Sequence, residues 1–227
     1  MGSKMNPVTI KRRGSNYNDC SLSDLFSSAM AIRSSIATTE NLENIYSDVP
    51  ENVYAIMQEK QNISFPIVPD DFSEMLHYKL LREKENGFTQ YIDVNADLSD
   101  RIAKNVYQYK NYESFCDLLK TKNMTYTRIS RCLLHILLDL KTDETMLPSY
   151  IRILGLNTKA TELSKALKES CTLPLISKLA DAQKQLPEEA VVLLKEDVFA
   201  SNLYDTVLSH KFDREFVSDY QKPVQTI

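Results

Sequence analysis

Four glycines and eight prolines are spread over 227 residues, and this scarcity is the tightest limit on what the chain can fold into. An all-β fold of that length needs many tight turns, and tight turns draw on Gly and Pro for backbone angles other residues adopt only under strain. The chain instead carries long stretches rich in Leu, Lys and Glu, which favour helices. The implied fold is mainly α, large enough for one large or two small domains.

Apolar periodicity supports this. Leu22, Leu25, Phe26, Ala29, Ile32 and Ile36 recur at helical spacing, with Ser21 and Asp24 as a capping-box start. Pro50 opens a second helix with Val53, Ile56 and Met57, and the two prolines of NISFPIVPDD mark an extended connector. Further helices are predicted from Asp71 to Glu85 with a stop at Gly87, from Leu98 to Tyr109, from Phe115 to Leu119, from Thr158 to Glu169 and from Pro187 to Ser209. The strongest pattern is Thr127 to Leu140, where Ile129, Leu133, Ile136, Leu137 and Leu140 form a wide apolar face. YIRILGLN, from Tyr150, reads as a short strand whose partner is LPLISKL around Ile176, giving a short two-strand element.

The net charge of -4 hides an uneven distribution. Between Arg101 and Lys141 there are eight Lys/Arg and three Asp/Glu, so a local basic surface sits on an otherwise acidic chain. Cys20, Cys116, Cys132 and Cys171 are far apart and His77, His135 and His210 are isolated, so neither a disulfide framework nor a metal site is expected. No apolar run reaches the length of a membrane span, and a cytoplasmic protein is expected. Neither common Gly-rich phosphate cradle, G-x-x-x-x-G-K-[ST] or G-x-G-x-x-G, is present.

Two stretches carry the chemistry. In LLKTKNMTYTRISRCLLHILLDL, Lys120 and Lys122 approach the helix, and Arg128, Arg131 and His135 follow at i, i+3 and i+7 on one face. Such a ridge can sit on a phosphate backbone, although spacing alone favours an ordinary solvated helix face. Near the start, the β-prone Val8, Thr9 and Ile10 lead into Lys11, Arg12, Arg13 and Gly14, and a helix with Ser27, Ser28 and Arg33 follows. Hydroxyls, amides and guanidinium groups at one edge would hold a phosphate; an ordinary basic loop before an ordinary helix is again the favoured reading from spacing alone.

NPVTIKRRGSNYND, SSAMAIRSSI, LHYKLL, LLKTKNMTYTRISRCLLHILL, YIRILGLN and EDVFASNLYD occur in the order of similar motifs in the tRNA(Met) cytidine acetate ligase family, which the chain resembles over nearly all its length after Met5. TIKRRG and TRISRCLLHILL are the specific blocks, and SSAMAIR is similar to the second motif of nucleotidyltransferases. The resemblance implies the helical C-terminal region of a Rossmann-like nucleotidyltransferase-type protein. The implied activity uses ATP, with magnesium, to activate acetate as acetyl-adenylate and acetylates N4 of the wobble cytidine of elongator tRNA(Met). The implied organisation is residues 1–5 as a cloning remnant, 6–62 as the end of the nucleotide-binding domain and 63–227 as a helical tRNA-binding region. The family's histidine-motif half has no counterpart here, so no catalytic residue is assigned and this piece alone is expected to be inactive.

Carried over from the family, Arg12 matches an ATP-contacting arginine and Arg33 the arginine of the Ile-Arg turn, with Arg13 and Ser28 as weaker ATP candidates. A guanidinium offers a phosphate two parallel donors that a lysine lacks. Lys120, Lys122, Arg128 and Arg131 would face tRNA, with Tyr126 stacking on an exposed base. Met30, where the family has Thr, and Asn123 and Tyr126, where it often has Arg, are departures. The readings from other classes are a non-catalytic helical RNA-binding or interaction module, and a small-metabolite nucleotidyltransferase.

Overall fold

Local hydrogen bonding decides where the first helix begins. In the computed structural model, which describes residues 7–11, 13–16, 19–23, 26–38, 41–142 and 149–226, α1 spans Ala29–Thr38. The helix does not start near Leu22, as the periodicity predicts. Ser23 donates its hydroxyl to the Phe26 carbonyl and its amide to the Ser27 hydroxyl, so these residues turn rather than coil. Buried Ser28 is the true cap: its Oγ accepts the Ala31 N–H at 2.9 Å while donating to the Asp19 carbonyl. Asp24 lies outside the described residues. Val8 and Ile10, predicted as a strand end, pair with no strand among the described residues and are 86% and 91% exposed. β-branched side chains favour an extended chain only where a ladder takes up its backbone groups.

The chain divides into two compact units, Met1–Val68 and Pro69–Ile227. In the first, α1 is followed by the 3-10 turn Leu42–Asp48 and by α2, Glu51–Lys60, which Pro50 opens as expected. Leu42, Ile45 and Tyr54 form its small core, and α2 turns Val53 and Ile56 outward.

The second unit begins with α3, Ser73–Glu83; Gly87, in the left-handed region at φ 73°, follows as the predicted stop. A Cβ on Gly87 would lie 3.4 Å from the Ser99 hydroxyl that accepts the Phe88 amide. The helix α4 runs Ala96–Asn105 under an Asn95 cap and tightens into the 3-10 turn Val106–Gln108. An Asn111/Ser114 capping box starts α5, Tyr112–Leu119, and Thr125 caps α6, Tyr126–Leu137. These four helices enclose the main core, in which Leu76, Leu80, Leu98, Ile102, Ile129, Leu133 and Ile136 are fully buried. Cys116 and Cys132 lie in it too, and burial pushes the Cys116 thiol up to about 12, so it stays protonated and inert.

Beyond them come β1, Ile151–Arg152, and β2, Gly155–Leu156, then α7, Thr161–Ser170, β3, Leu175–Ile176, α8, Leu179–Gln185, α9, Glu188–Lys211, and β4, Gln225–Thr226. As predicted, β1 pairs with the Ile176 stretch, in parallel, with Ile151 opposite Leu175. The single two-strand element needs correction, because β2 makes a second parallel pair with β4, Gly155 opposite Gln225. The Ile153 amide donates to Ile176 while the Leu154 carbonyl accepts from Gln225, so one extended segment serves two neighbours. Ile176, Leu179, Ala182, Leu186, Ala190, Leu194 and Val198 pack into a second core. Arg152 joins this region to the C-terminal segment through Asp219, at 2.8 Å and only 3% exposed.

One ionic cluster closes the end of α6. Asp139, at φ 59°, accepts from Lys79 at 2.7 Å and from the Tyr91 hydroxyl at 3.2 Å, and Lys141 lies 3.3 Å away. Burial works against the charged carboxyl, but the hydrogen bond and charge of Lys79, then those of Lys141, outweigh it and hold Asp139 below the usual carboxylate range. A lowered acid contributes stability above its unfolded pKa and loses it as pH falls through the folded value. Asp139→Asn is therefore expected to flatten the acid limb of a melting-temperature-against-pH curve, and an unchanged limb would show that the cluster is not linked to folding.

Candidate functional site

The basic stretch of the second unit rests on a braced turn. After α5, Thr121 and Met124 exchange backbone hydrogen bonds at 3.2 Å each, the Thr121 hydroxyl accepts the Met124 amide, and the Met124 side chain is buried. The Arg101 guanidinium reaches across from α4 and donates to the carbonyls of Leu119 and Lys120. These are orphan acceptors at the end of α5, and a cation there also suits the helix dipole. The exposed Lys120, Lys122 and Asn123 thus stand on a fixed support.

On α6 the predicted ridge divides. Arg128 is exposed, and among the described residues no carboxylate pairs with it or with Lys120 or Lys122. Arg131 instead donates through Nε to Asp93 at 2.9 Å, so part of its charge is matched locally. His135 Nδ1 lies 2.9 Å from the Ile92 carbonyl, which assigns it to structure rather than to the ridge. Tyr126, expected to stack on a base, is half-buried against the main core, and burial pushes its phenol up. The first turn of α6 contains no acid to repel an anion.

In the first unit Arg12 lies outside the described residues. Lys11 and Arg13 are exposed on either side of it. Gly14, at φ 84°, backs onto Phe26 so closely that a Cβ would meet its Cβ and carbonyl oxygen at 2.9 Å, and the Ser15 amide donates to that carbonyl at 3.1 Å. The segment after the cations is thereby docked on the approach to α1. The Ser28 hydroxyl both donates and accepts within the protein, so it positions this loop rather than offering itself to a phosphate. The Ser27 amide is likewise occupied, by Asp48 at 3.2 Å. Arg33 is exposed on α1 with no ion pair among the described residues, and Met30 is half-buried near the helix start.

The family described as HIGH Nucleotidyl Transferase matches residues 1–219. The chain belongs to this family. Among its relatives, the tRNA(Met) cytidine acetate ligase of Clostridium tetani is 33% identical over 211 residues, covering 90% of this chain and 50% of that protein. The chain thus spans about half the length of the curated relatives it matches. The apo crystal structure of Thermotoga maritima TmcAL superposes with a TM-score of 0.84 at 24% identity, over 96% of this chain and 55% of that one. A second form of TmcAL, bound with alpha-thio ATP, gives 0.78 at 23% identity, over 89% and 52%. At these identities the two structures establish the fold.

Sequence spacing missed Arg101 and Asp93. Each acts on a partner far along the chain, a carbonyl eighteen residues on and a guanidinium thirty-eight on, so no local pattern marks them. The excess of cations from Arg101 to Lys141 was the available signal.

Proposed function

We propose that this chain is the tRNA-holding part of an ATP-dependent ligase that activates acetate as acetyl-adenylate and acetylates N4 of the wobble cytidine of elongator tRNA(Met). The observation that carries the reading is a set of cations with no carboxylate partner among the described residues: Lys120 and Lys122 on a turn that Arg101 braces, and Arg128 in the first turn of α6 that follows it. Cations held in place and not matched by carboxylates can release counterions from a phosphate backbone at little conformational cost. The names of the relatives and the alpha-thio ATP held by TmcAL support the substrate assignments.

In this reading Lys120, Lys122 and Arg128 touch successive phosphates. Arg131 contributes less, because a phosphate must compete with Asp93 for it. In the first unit Arg12, Arg13 and Arg33 neutralise ATP phosphates, with Gly14 and Ser28 setting the loop that carries them. Magnesium would arrive with ATP; among the described residues no group of three His, Cys, Asp or Glu side chains is placed to hold a metal ion. No helix among them is long and apolar enough to cross a membrane.

The test is filter binding of an elongator tRNA(Met) transcript at several salt concentrations. Replacing Lys122 and Arg128 together by Ala is expected to weaken binding and to lower the log–log salt slope by about 0.7–0.9 for each phosphate no longer neutralised. An unchanged slope would remove this surface from the reading. For the nucleotide side, Arg33→Ala is expected to weaken ATP binding by calorimetry while leaving the tRNA salt slope as it was. Equal losses for both ligands would move Arg33 to the RNA surface.

A further inference from the structure

The 3-10 turn that continues α4 and the residue after it carry two aromatic side chains with opposite surroundings. Val106 is fully buried, and Tyr109 packs on the main core with its ring stacked on His77 at 4.6 Å. Tyr107, between them, is 76% exposed. A lone exposed aromatic is common on protein surfaces. What distinguishes this one is its surroundings.

The Lys84 ammonium, at the end of α3, stands 5.1 Å from the Tyr107 ring centroid, within cation–π range, and is shared with Glu85 at 3.2 Å. Lys104 lies one turn earlier on α4, exposed and with no carboxylate partner among the described residues. Arg101, Lys104 and Tyr107 follow one another at three-residue steps, so their side chains are neighbours about 5–6 Å apart along the helix and its tighter continuation. Asp100 lies on the turn before Lys104 and bounds the strip on that side. The strip begins where Arg101 grips the lysine-bearing turn and ends at an open aromatic ring with a cation on it.

We infer that Tyr107 is a stacking platform for an unpaired nucleobase of the bound RNA, with Lys104 neutralising the phosphate beside that base. Charge followed by an exposed aromatic is how proteins hold single-stranded nucleic acid: the cations follow the backbone, and the ring takes a base face independent of its identity. An aromatic platform in a protein–protein contact would lie in an apolar surround, whereas the group shown against this ring is the Lys84 ammonium, and Lys104 stands one turn away on α4. The inference rests on the tRNA-binding reading and gives the stacking role to the 76% exposed Tyr107 rather than to Tyr126, which is half-buried against the main core.

The test uses the same tRNA transcript and salt series. Tyr107→Ala is expected to lower affinity about tenfold, the scale of one base–aromatic stack, with the salt slope unchanged. Tyr107→Phe should retain the affinity, since it keeps the ring, and Lys104→Ala should lower the slope. The melting temperature should be the same in all three variants, because the replaced side chains are exposed. Wild-type chain that fails to bind tRNA at any salt would defeat the tRNA reading and this inference with it. Binding that falls with the Lys122 and Arg128 pair but is indifferent to Tyr107→Ala would overturn the stacking role alone. So would a Tyr107→Ala change in sedimentation with RNA affinity intact, which would assign the ring to a protein contact.

Discussion

The apolar stripe of α6 is the constraint on which the second unit depends. Ile129, Cys132, Leu133, Ile136 and Leu137 all face inward, and α3, α4 and α5 close around them. Each buried aliphatic side chain stabilises by about 1.5–3 kcal/mol, whereas an exposed ion pair contributes about 0–1 kcal/mol. The core therefore sets the orientation of α6, and the charges on its outer edge follow from that orientation. Arg128 and Arg131 are exposed because the stripe is not.

The same difference in magnitude separates cations that hold the protein from cations free to hold something else. Arg152 on Asp219, Lys79 on Asp139 and Lys211 on Asp71 join segments distant in sequence, with partners that are at least partly buried. Arg101 belongs with them although its partners are carbonyls, since it closes α5 and stiffens the turn beyond. Lys104, Lys120, Lys122 and Arg128 have no such employment among the described residues. A nucleic acid meeting them does not have to break an internal pair first, which is the physical basis for assigning them to RNA.

Much of this was legible from periodicity alone. The α6 pattern named four of its five buried residues, missing Cys132 and running on to Leu140 past the helix end; Pro50 and Gly87 marked a start and a stop, and the pairing of the Tyr150 stretch with the Ile176 stretch was anticipated. The failures share a cause, which is competition from groups that spacing does not register. Leu22 and Phe26 have helical spacing, yet hydroxyls at Ser23, Ser27 and Ser28 satisfy the backbone differently. Gln225 and Thr226 lack a strand pattern and pair only because Leu154 offers an acceptor. Arg131 looked free until the fold brought Asp93 to it, and Tyr126 is half-buried because it packs against the main core. The division of the ridge into matched and unmatched cations is a tertiary property, and residue types in order do not encode it locally.

Hydrogen–deuterium exchange of the chain with and without elongator tRNA(Met) transcript tests the central claim most directly. Slower exchange on RNA binding is predicted across residues 119–128, the braced turn and the start of α6, and across 104–108, with residues 161–185 unchanged. Protection confined to 161–185, or none at 119–128 under conditions where tRNA is bound, would contradict it.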